Sequence, residues 1–282
     1  MTATPNAVPQ RLPAGSTTDP PYGPMADSGF SNPAFYHQFF DDFDNSIGST
    51  GLWTVSKGST GTAVHGAGDG GLVTLTTAAT NADYVSMQLP AADFTLPQVA
   101  TQGKKMFFLA RFQLSTLTSS AIVGLLDTTA TPFAAITDGI YFHHPSGGSV
   151  LELITVSAST AMTWAIPASA YTLAAATNID VGFYIDRNQN INVFVGSVLV
   201  GWLPQSGTGA VNPVTGVTVL PVVGRQLQVV SSNFVASGLA GTGYTGPWTI
   251  TTANLNPTIA VQAGSAAADS ITADFIAVQK ER

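Results

Sequence analysis

The sequence of 282 residues contains no cysteine. This absence excludes disulfide bonds, zinc sites built from thiolates and cysteine nucleophiles. It leaves the redox compartment open, because a chain without cysteine folds equally well in an oxidising or a reducing environment.

Charged residues are also scarce, at 9% of the chain against roughly 25% in typical soluble domains. The polar surface must therefore come from Ser, Thr, Asn, Gln and Gly. Such a surface suits close packing between subunits, because few charges must be desolvated when proteins meet. The formal net charge is −7 and no run of Lys or Arg occurs, so we expect no binding of nucleic acid.

Long apolar runs are missing as well. No segment approaches the roughly 18 consecutive apolar residues of a transmembrane helix, so we expect no membrane span. Residues 1–10 are polar and contain prolines, without the basic start and apolar stretch of a secretory signal. We therefore predict that the protein is made in the cytoplasm and stays soluble until it assembles.

Glutamate is scarce in the sequence, and the glutamates present are not spaced as a catalytic pair. Retaining glycosidases need two carboxyl groups about 5 Å apart. The sequence has only two glutamates, Glu152 and Glu281, and residues 153–155 after Glu152 bring no second carboxylate along its strand. No Gly-x-Ser-x-Gly motif marks a serine nucleophile. We predict that the protein is not an enzyme, has no catalytic residues and binds no cofactor.

Residues 1–36 differ from the rest, because they hold seven of the seventeen prolines. Proline lacks the backbone donor that helices and sheets need, so the segment is predicted to be an extended arm. A disordered tail is the alternative. The segment also carries large apolar side chains that suit a binding arm better than a free tail. The predicted partner-binding residues are Tyr22, Met25, Phe30, Phe35 and Tyr36.

Residues 37–282 show β patterns throughout. In 106–114, one face of the predicted strand is apolar, and the other face ends in the polar residues Arg111 and Gln113. This alternation is typical of a half-buried strand. The apolar face consists of Met106, Phe108, Ala110, Phe112 and Leu114. Helix signals are weak even in 168–176, their best candidate. Many short strands between Gly, Pro and Asn turns predict an all-β sandwich or jelly roll. Residues 205–250 are Gly-rich and indicate an insertion, either a small β subdomain or a long loop. Strands are predicted at 72–77, 84–89, 106–114, 122–126, 139–143, 151–156, 180–186, 191–195, 198–202, 217–223, 226–231, 258–261 and 270–279.

Several polar and aromatic residues are candidates for binding. Asp41, Asp42 and Asp44 form a weak candidate calcium site, but carboxylates at a strand edge more commonly prevent edge-to-edge pairing. His143 and His144 are adjacent on a strand and must face opposite ways, so they cannot chelate one ion together. We therefore predict no metal site. Trp248 lies in a loop rich in Gly and Pro and is the best candidate for an exposed glycan contact.

Three stretches together carry a resemblance to a known fold. They are Phe39-Phe40-Asp41-Asp42-Phe43-Asp44 with Trp53-Thr54-Val55, the hairpin from Val181–Asp186 to Asn192–Val200, and the closing strand Ile271–Gln279. In this order they resemble the concanavalin A-like jelly roll of legume lectins, laminarinase-type glucanases and laminin G-type modules. The resemblance covers roughly 36–204 and 250–282.

The resemblance implies that the first and last strands lie side by side. Phe39, Phe43 and the inward residues of Ile271–Val278 are then expected to share one core, and Phe275 is expected to be buried. It also implies where catalysis would lie, since glucanases of this fold carry two glutamates on one strand in a Glu-x-Asp-x-x-Glu pattern. The sequence departs from that pattern, which argues against hydrolysis.

A further stretch, Asp138–His144 followed by Gly147-Gly148 and Leu151–Val156, resembles virion proteins of tailed bacteriophages built on this sandwich. The resemblance implies a capsid decoration or cement protein, located on the virion surface and made in the host cytoplasm. Its expected partners are the major capsid protein and further copies of itself, in a trimer that suits the local three-fold sites of icosahedral shells. The alternatives are a glycan-binding module of a fibre or tail and a degenerate glycosidase.

Overall fold

The computed structural model of the protein describes residues 36–44, 51–66, 71–90, 94–97, 104–166, 168, 170–186, 189–203, 210–211, 218–219 and 251–281. Within these ranges the chain forms strands and turns but no helix, and 170–176 consists of turns and irregular chain. Accordingly, this part of the protein contains no helix able to span a membrane. The predicted arm, apart from its last residue, and most of the predicted insertion lie outside the described residues.

The strands form two antiparallel sheets of eight strands each. Sheet A contains β1 (Tyr36–Asp41), β3 (Thr62–Gly66), β4 (Leu72–Thr76), β7 (Met106–Leu114), β12 (Ile179–Ile185), β13 (Ile191–Val195), β14 (Val198–Leu203) and β18 (Ser270–Glu281). Sheet B contains β2 (Thr54–Lys57), β5 (Tyr84–Gln88), β6 (Phe94–Thr95), β8 (Ser120–Leu126), β9 (Gly139–His144), β10 (Leu151–Ser157), β11 (Thr160–Ile166) and β17 (Asn254–Gln262). A separate pair joins β15 (Ala210–Val211) to β16 (Thr218–Val219).

The order of strands is discontinuous in sequence, as in a jelly roll. Sheet A runs β14-β13-β12-β7-β18-β4-β3, and sheet B runs β11-β10-β9-β8-β17-β5-β2. The late strands β17 and β18 therefore lie in the middle of the sheets. β1 pairs with β18 from Tyr36 opposite Glu281 to Asp41 opposite Ile276, which confirms that the first and last strands are neighbours.

The two sheets enclose one main hydrophobic core. The alternation predicted for 106–114 is confirmed, because every second side chain from Met106 to Leu114 enters this core, whereas Phe107 and Leu109 lie on the other face. Phe108 and Phe183 of sheet A stack with ring centroids 5.1 Å apart, and Phe142 of sheet B approaches Phe183 at 6.4 Å. Burial of such large rings from both sheets supplies the dominant stabilisation of a sandwich.

The closing strand buries side chains on both faces of sheet A. Ile276 and Val278 share the main core with Phe43, and Phe39 packs against it, as expected, whereas Phe275 is buried elsewhere. The register with β7 shifts between Ala273 and Phe275, so Asp274 is an extra residue in β18. A β-bulge of this kind reverses the side on which later residues point. Phe275 is therefore fully buried on the outer face of sheet A, in an outer aromatic cluster with Phe40, Phe107, Tyr184, Phe194, Leu109, Leu199 and Ala277.

Candidate functional site

The outer face of sheet B, on the side away from the main core, carries a cavity. We call it the outer cleft; its volume is about 290 Å³. One wall consists of side chains from β8, β9 and β10, and the other is the loop between β8 and β9, which packs its apolar side chains onto the sheet. The defining residues are Ile122, Phe133, Ile136, Tyr141, His143 and Ile154.

A glycine shapes the floor of the outer cleft. Gly124 lies opposite Tyr141 in the β8–β9 ladder. A Cβ atom at Gly124 would approach the Cα and Cβ atoms of Tyr141 to 2.4 Å, which is closer than real side chains pack. The position therefore requires glycine because Tyr141 approaches the backbone too closely to leave room for a side chain.

The loop over the outer cleft is anchored to the sheet by a buried side chain of β5. The Gln88 Nε2 atom donates to the Asp127 carbonyl oxygen at 2.9 Å, and Gln88 Oε1 accepts from the Thr129 amide at 3.0 Å. The Thr137 hydroxyl donates to the Asp127 carboxylate at 2.7 Å, which closes the base of the loop. These bonds hold the loop in place, so the cleft is pre-formed.

A chain of polar groups runs along one end of the outer cleft. His143 lies opposite Glu152 in the β9–β10 ladder, and its Nδ1 atom is 3.0 Å from Glu152 Oε2. Its Nε2 atom is 3.1 Å from the Ser120 hydroxyl of β8. The His143 and Glu152 side chains are 21% and 16% exposed, so both are partly shielded yet accessible.

This connectivity resembles a serine, histidine and carboxylate relay, but the surroundings of Ser120 differ from those of a catalytic serine. The Ser120 hydroxyl also lies 3.0 Å from the His144 carbonyl oxygen, an acceptor that competes with His143 for its proton. Strand β8 is paired on both sides, by β9 and β17. Within the described residues its backbone amides are thus committed to the ladder and supply no oxyanion hole beside Ser120.

Tyr141 adds a hydroxyl donor to the same face. Burial, reinforced by the negative charges of Glu152 and Asp127, raises the pKa of Tyr141 far above its ordinary value. The phenol therefore stays protonated at neutral pH. The outer cleft thus combines an aromatic ring, apolar walls and an imidazole that contacts the Glu152 carboxylate, which together can hold a ligand with both hydroxyl groups and apolar faces.

The two adjacent histidines face opposite sides of sheet B, as predicted. His144 points away from the outer cleft and is buried. Its Nδ1 atom lies 2.9 Å from the Val150 carbonyl oxygen and its Nε2 atom 3.2 Å from that of Leu117. His144 therefore fixes the turn before β10 and contributes nothing to the cleft.

The three aspartates after β1 do not gather around a common point. The Asp41 carboxylate accepts from the Trp53 indole at 2.5 Å through Oδ2 and from the Phe43 amide at 2.7 Å through Oδ1. Phe43 has a left-handed φ of 59°, so Asp41 stabilises a strained turn that brings Trp53 into the core. No group of three metal-ligating side chains, including Asp42 and Asp44, occurs among the residues that the structure describes.

The other predicted binding residues lie almost entirely outside the residues that the structure describes. Tyr36 begins β1, and Tyr22, Met25, Phe30, Phe35 and Trp248 lie outside the described residues. Sequence reasoning missed the outer cleft. A signal was present, because His143 and Glu152 both fall in predicted strands separated by a short turn, and a hairpin there places them side by side.

The comparisons with known proteins concern the fold. No family model matches the chain, and no curated protein matches it. A protein of unknown function from Shewanella oneidensis MR-1 matches with a TM-score of 0.50 and 12% identity, over 93% of this chain and 94% of that one. A lichenase from a mouse hindgut metagenome matches with a TM-score of 0.50 and 11% identity, over 86% and 98%. Peanut lectin with a nine-residue peptide matches with a TM-score of 0.48 and 9% identity, over 87% and 97%.

At these identities the likeness shows the fold alone. The chain is an all-β jelly-roll sandwich of two antiparallel sheets, a fold that it shares with the lichenase. The predicted fold class is confirmed.

Proposed function

We propose that this protein is a non-enzymatic structural protein of a tailed-bacteriophage particle, a decoration or cement protein on the capsid surface. Its partners are the major capsid protein and further copies of the same chain. The observation that carries the proposal is the charge-poor, cysteine-free composition on a jelly-roll sandwich, with 9% charged residues. A surface of this kind loses little hydration energy when it is buried against a shell.

An ion-paired group of charged side chains on sheet A further supports the proposal. Arg111 Nε donates to Asp180 at 2.6 Å, and its Nη1 atom lies 3.5 Å from Asp274. These side chains are between 15% and 29% exposed. Internal pairing of this kind leaves the outer face of sheet A with little charge to desolvate on contact with a partner.

Deleting residues 1–35 should weaken capsid binding while leaving the sandwich folded. The prolines and apolar anchors of this segment suit attachment to another subunit, and the described strands begin at Tyr36. Co-sedimentation with purified capsids should show an affinity at least about tenfold lower, equivalent to about 1.4 kcal/mol. The melting temperature should stay close to that of the full chain.

A matched variant separates the anchors from the length of the arm. Replacing Tyr22, Phe30 and Phe35 by Ser in the full chain keeps the arm but removes its apolar contacts. We expect most of the loss seen on deletion. Equal capsid binding by the deleted and full-length proteins would contradict the attachment role of the arm.

A second function, glycan binding, is favoured by the outer cleft. Sugar rings present hydroxyl groups at their rims and C–H groups on their faces, so they bind where an aromatic ring adjoins carboxylates and other hydrogen-bonding groups. Tyr141 and His143 line the outer cleft beside apolar walls, and the Glu152 carboxylate contacts His143. A decoration protein that also binds glycans would hold the particle near a cell surface.

Glu152→Gln tests the glycan proposal at nearly constant side-chain shape. The change removes the charge that orients His143, and hydrogen bonds to charged groups contribute about 1.5–3 kcal/mol, so affinity should fall by about 10- to 100-fold. A glycan array identifies the ligand, and titration calorimetry measures the loss. Trp248→Ala is the control and should bind normally. If Trp248→Ala abolishes binding while Glu152→Gln does not, the site is the 205–250 segment instead.

A further inference from the structure

The four strands at the ends of the two sheets differ in how well they resist pairing with another chain. β7 packs on β8 and β17 packs on β18, so the two sheets run in the same spatial order. β11 and β14 therefore lie on one flank of the sandwich, and β2 and β3 lie on the other. An end strand has unpaired backbone groups along one side, and proteins usually protect it with charges, proline, glycine or bulges.

β11 lacks all of these protections. It is the longest of the four end strands, with seven residues, and contains no charged residue, proline or glycine. Its ladder with β10 continues through seven residue pairs without a shift. By contrast, β2 ends at Lys57 and β3 at Gly66, whereas β14 contains Gly201 and follows a register shift in β13.

We propose that β11 pairs antiparallel with β11 of a second copy of this chain, about a two-fold axis at Thr163. The sequence Thr160–Ile166 is complementary to itself in that register. Thr163 then faces its counterpart, and Met162 faces Trp164 of the other copy. The identical pairing in both directions is what a two-fold interface requires.

The two faces of β11 fit this pairing. Met162, Trp164 and Ile166 point into the main core, so the pair extends one hydrophobic layer across the axis. Ala161, Thr163 and Ala165 lie on the outer face, and their small side chains place no like charges opposite each other. Sheet B would then become one continuous sheet of sixteen strands in the dimer, twice the eight of one chain.

An orphaned donor lies beside the proposed axis. The Trp164 Nε1 atom is buried and has no hydrogen-bond partner in the described part of the chain. Buried polar groups are normally paired, and an unpaired one at the end of a sheet indicates that a neighbour is missing. A second copy across β11 would bring new acceptors to the strand that carries this indole.

This pairing rests on the self-association contained in the proposed function. It gives a dimer with two-fold symmetry in place of the trimer expected from shell geometry. The same axis also brings β14 near β14 of the other copy, since both end strands lie on one flank. The whole flank would then be buried in the dimer.

Light scattering on the full chain during size-exclusion chromatography tests the pairing. The wild-type protein should have twice the 29.0 kDa mass of one chain. Thr163→Lys places two ammonium groups opposite each other at the axis and should give a monomer that still unfolds cooperatively, without the stabilisation that association adds. Thr62→Lys, at an exposed position on β3 of the other flank, is the matched control and should remain a dimer.

Charge reversal makes the test specific to the axis. Thr163→Glu should also be monomeric, and a mixture of Thr163→Lys with Thr163→Glu should recover the dimer mass. A monomeric or trimeric wild-type protein, or a Thr163→Lys protein that stays dimeric, overturns the pairing. Capsid binding by a monomeric wild-type protein contradicts the pairing alone, whereas a wild-type dimer that does not bind capsids contradicts the decoration role alone.

Discussion

Ending the chain after Asp269, which removes β18, should abolish cooperative folding. β18 pairs with β7 along Ile271–Lys280 on one side and with β4 and β1 on the other. Its loss takes one neighbour from β7 and one from β4, leaves β1 without a pairing partner, and opens the main core where Ile276 and Val278 are fully buried. The free-energy cost of the exposed ladders and the missing core strand should exceed the free energy of unfolding of a typical domain, about 5–15 kcal/mol. Circular dichroism on heating should show no cooperative transition.

The control for this truncation ends the chain after Glu281. It removes only Arg282 and leaves every pair of β18 intact. This protein should melt like the full chain. A protein ending at Asp269 that still melts cooperatively near the wild-type temperature would contradict the assignment of β18 to the centre of sheet A.

Phe275→Ala should lower the free energy of unfolding by about 3–5 kcal/mol, the usual loss for a buried phenylalanine. Phe275 is fully buried and stacks on Phe40 with ring centroids 6.3 Å apart. The Arg111 guanidinium lies 5.6 Å from the centre of its ring, which adds a cation–π contact. Urea unfolding at equilibrium measures the loss.

Val198→Ala is the matched control for Phe275→Ala. Val198 is also apolar and in sheet A, but it is 60% exposed, so its truncation should change stability by less than about 0.5 kcal/mol. A loss below about 1 kcal/mol for Phe275→Ala would show that the outer aromatic cluster is loosely packed.

Local patterns were sufficient to predict most strands, because one face of each is apolar and the other polar. β7, β12 and β13 match their predicted spans within a residue. β11 was missed because Ala and Thr separate Met162, Trp164 and Ile166, and such small residues give the alternation little contrast. β3 was missed because Thr62–Gly66 contains only one large apolar residue, Val64, which is exposed.

The bulge in β18 depends on a residue far away in sequence. Arg111 of β7 lies opposite Phe275 and also approaches the Asp274 carboxylate. A period-two pattern in 270–279 alone cannot indicate where a residue is inserted, because that is decided by the partner strand. The predicted burial of Phe275 is confirmed, but the pattern alone did not indicate which face of sheet A buries it.

The outer cleft shows the same limit. The strands that carry His143 and Glu152 were predicted, but their pairing depends on the register of the β9–β10 hairpin. A shift of one residue would turn Glu152 into the core and destroy the polar chain. The partner Ser120 comes from β8, so a third strand must also be placed before the cleft becomes visible.

The pairing of β1 with β18 also determines when this protein can fold. Tyr36 pairs with Glu281, which lies at the other end of the described chain. In sheet B, the late strand β17 lies between β8 and β5. Contacts so distant in sequence close large loops, which makes folding slow compared with chains built from local hairpins. During synthesis, neither sheet can be completed until its central strand has left the ribosome. Until then Phe39 and Phe40 of β1 remain unpaired, and the nascent chain depends on chaperones or on rapid completion to avoid aggregation.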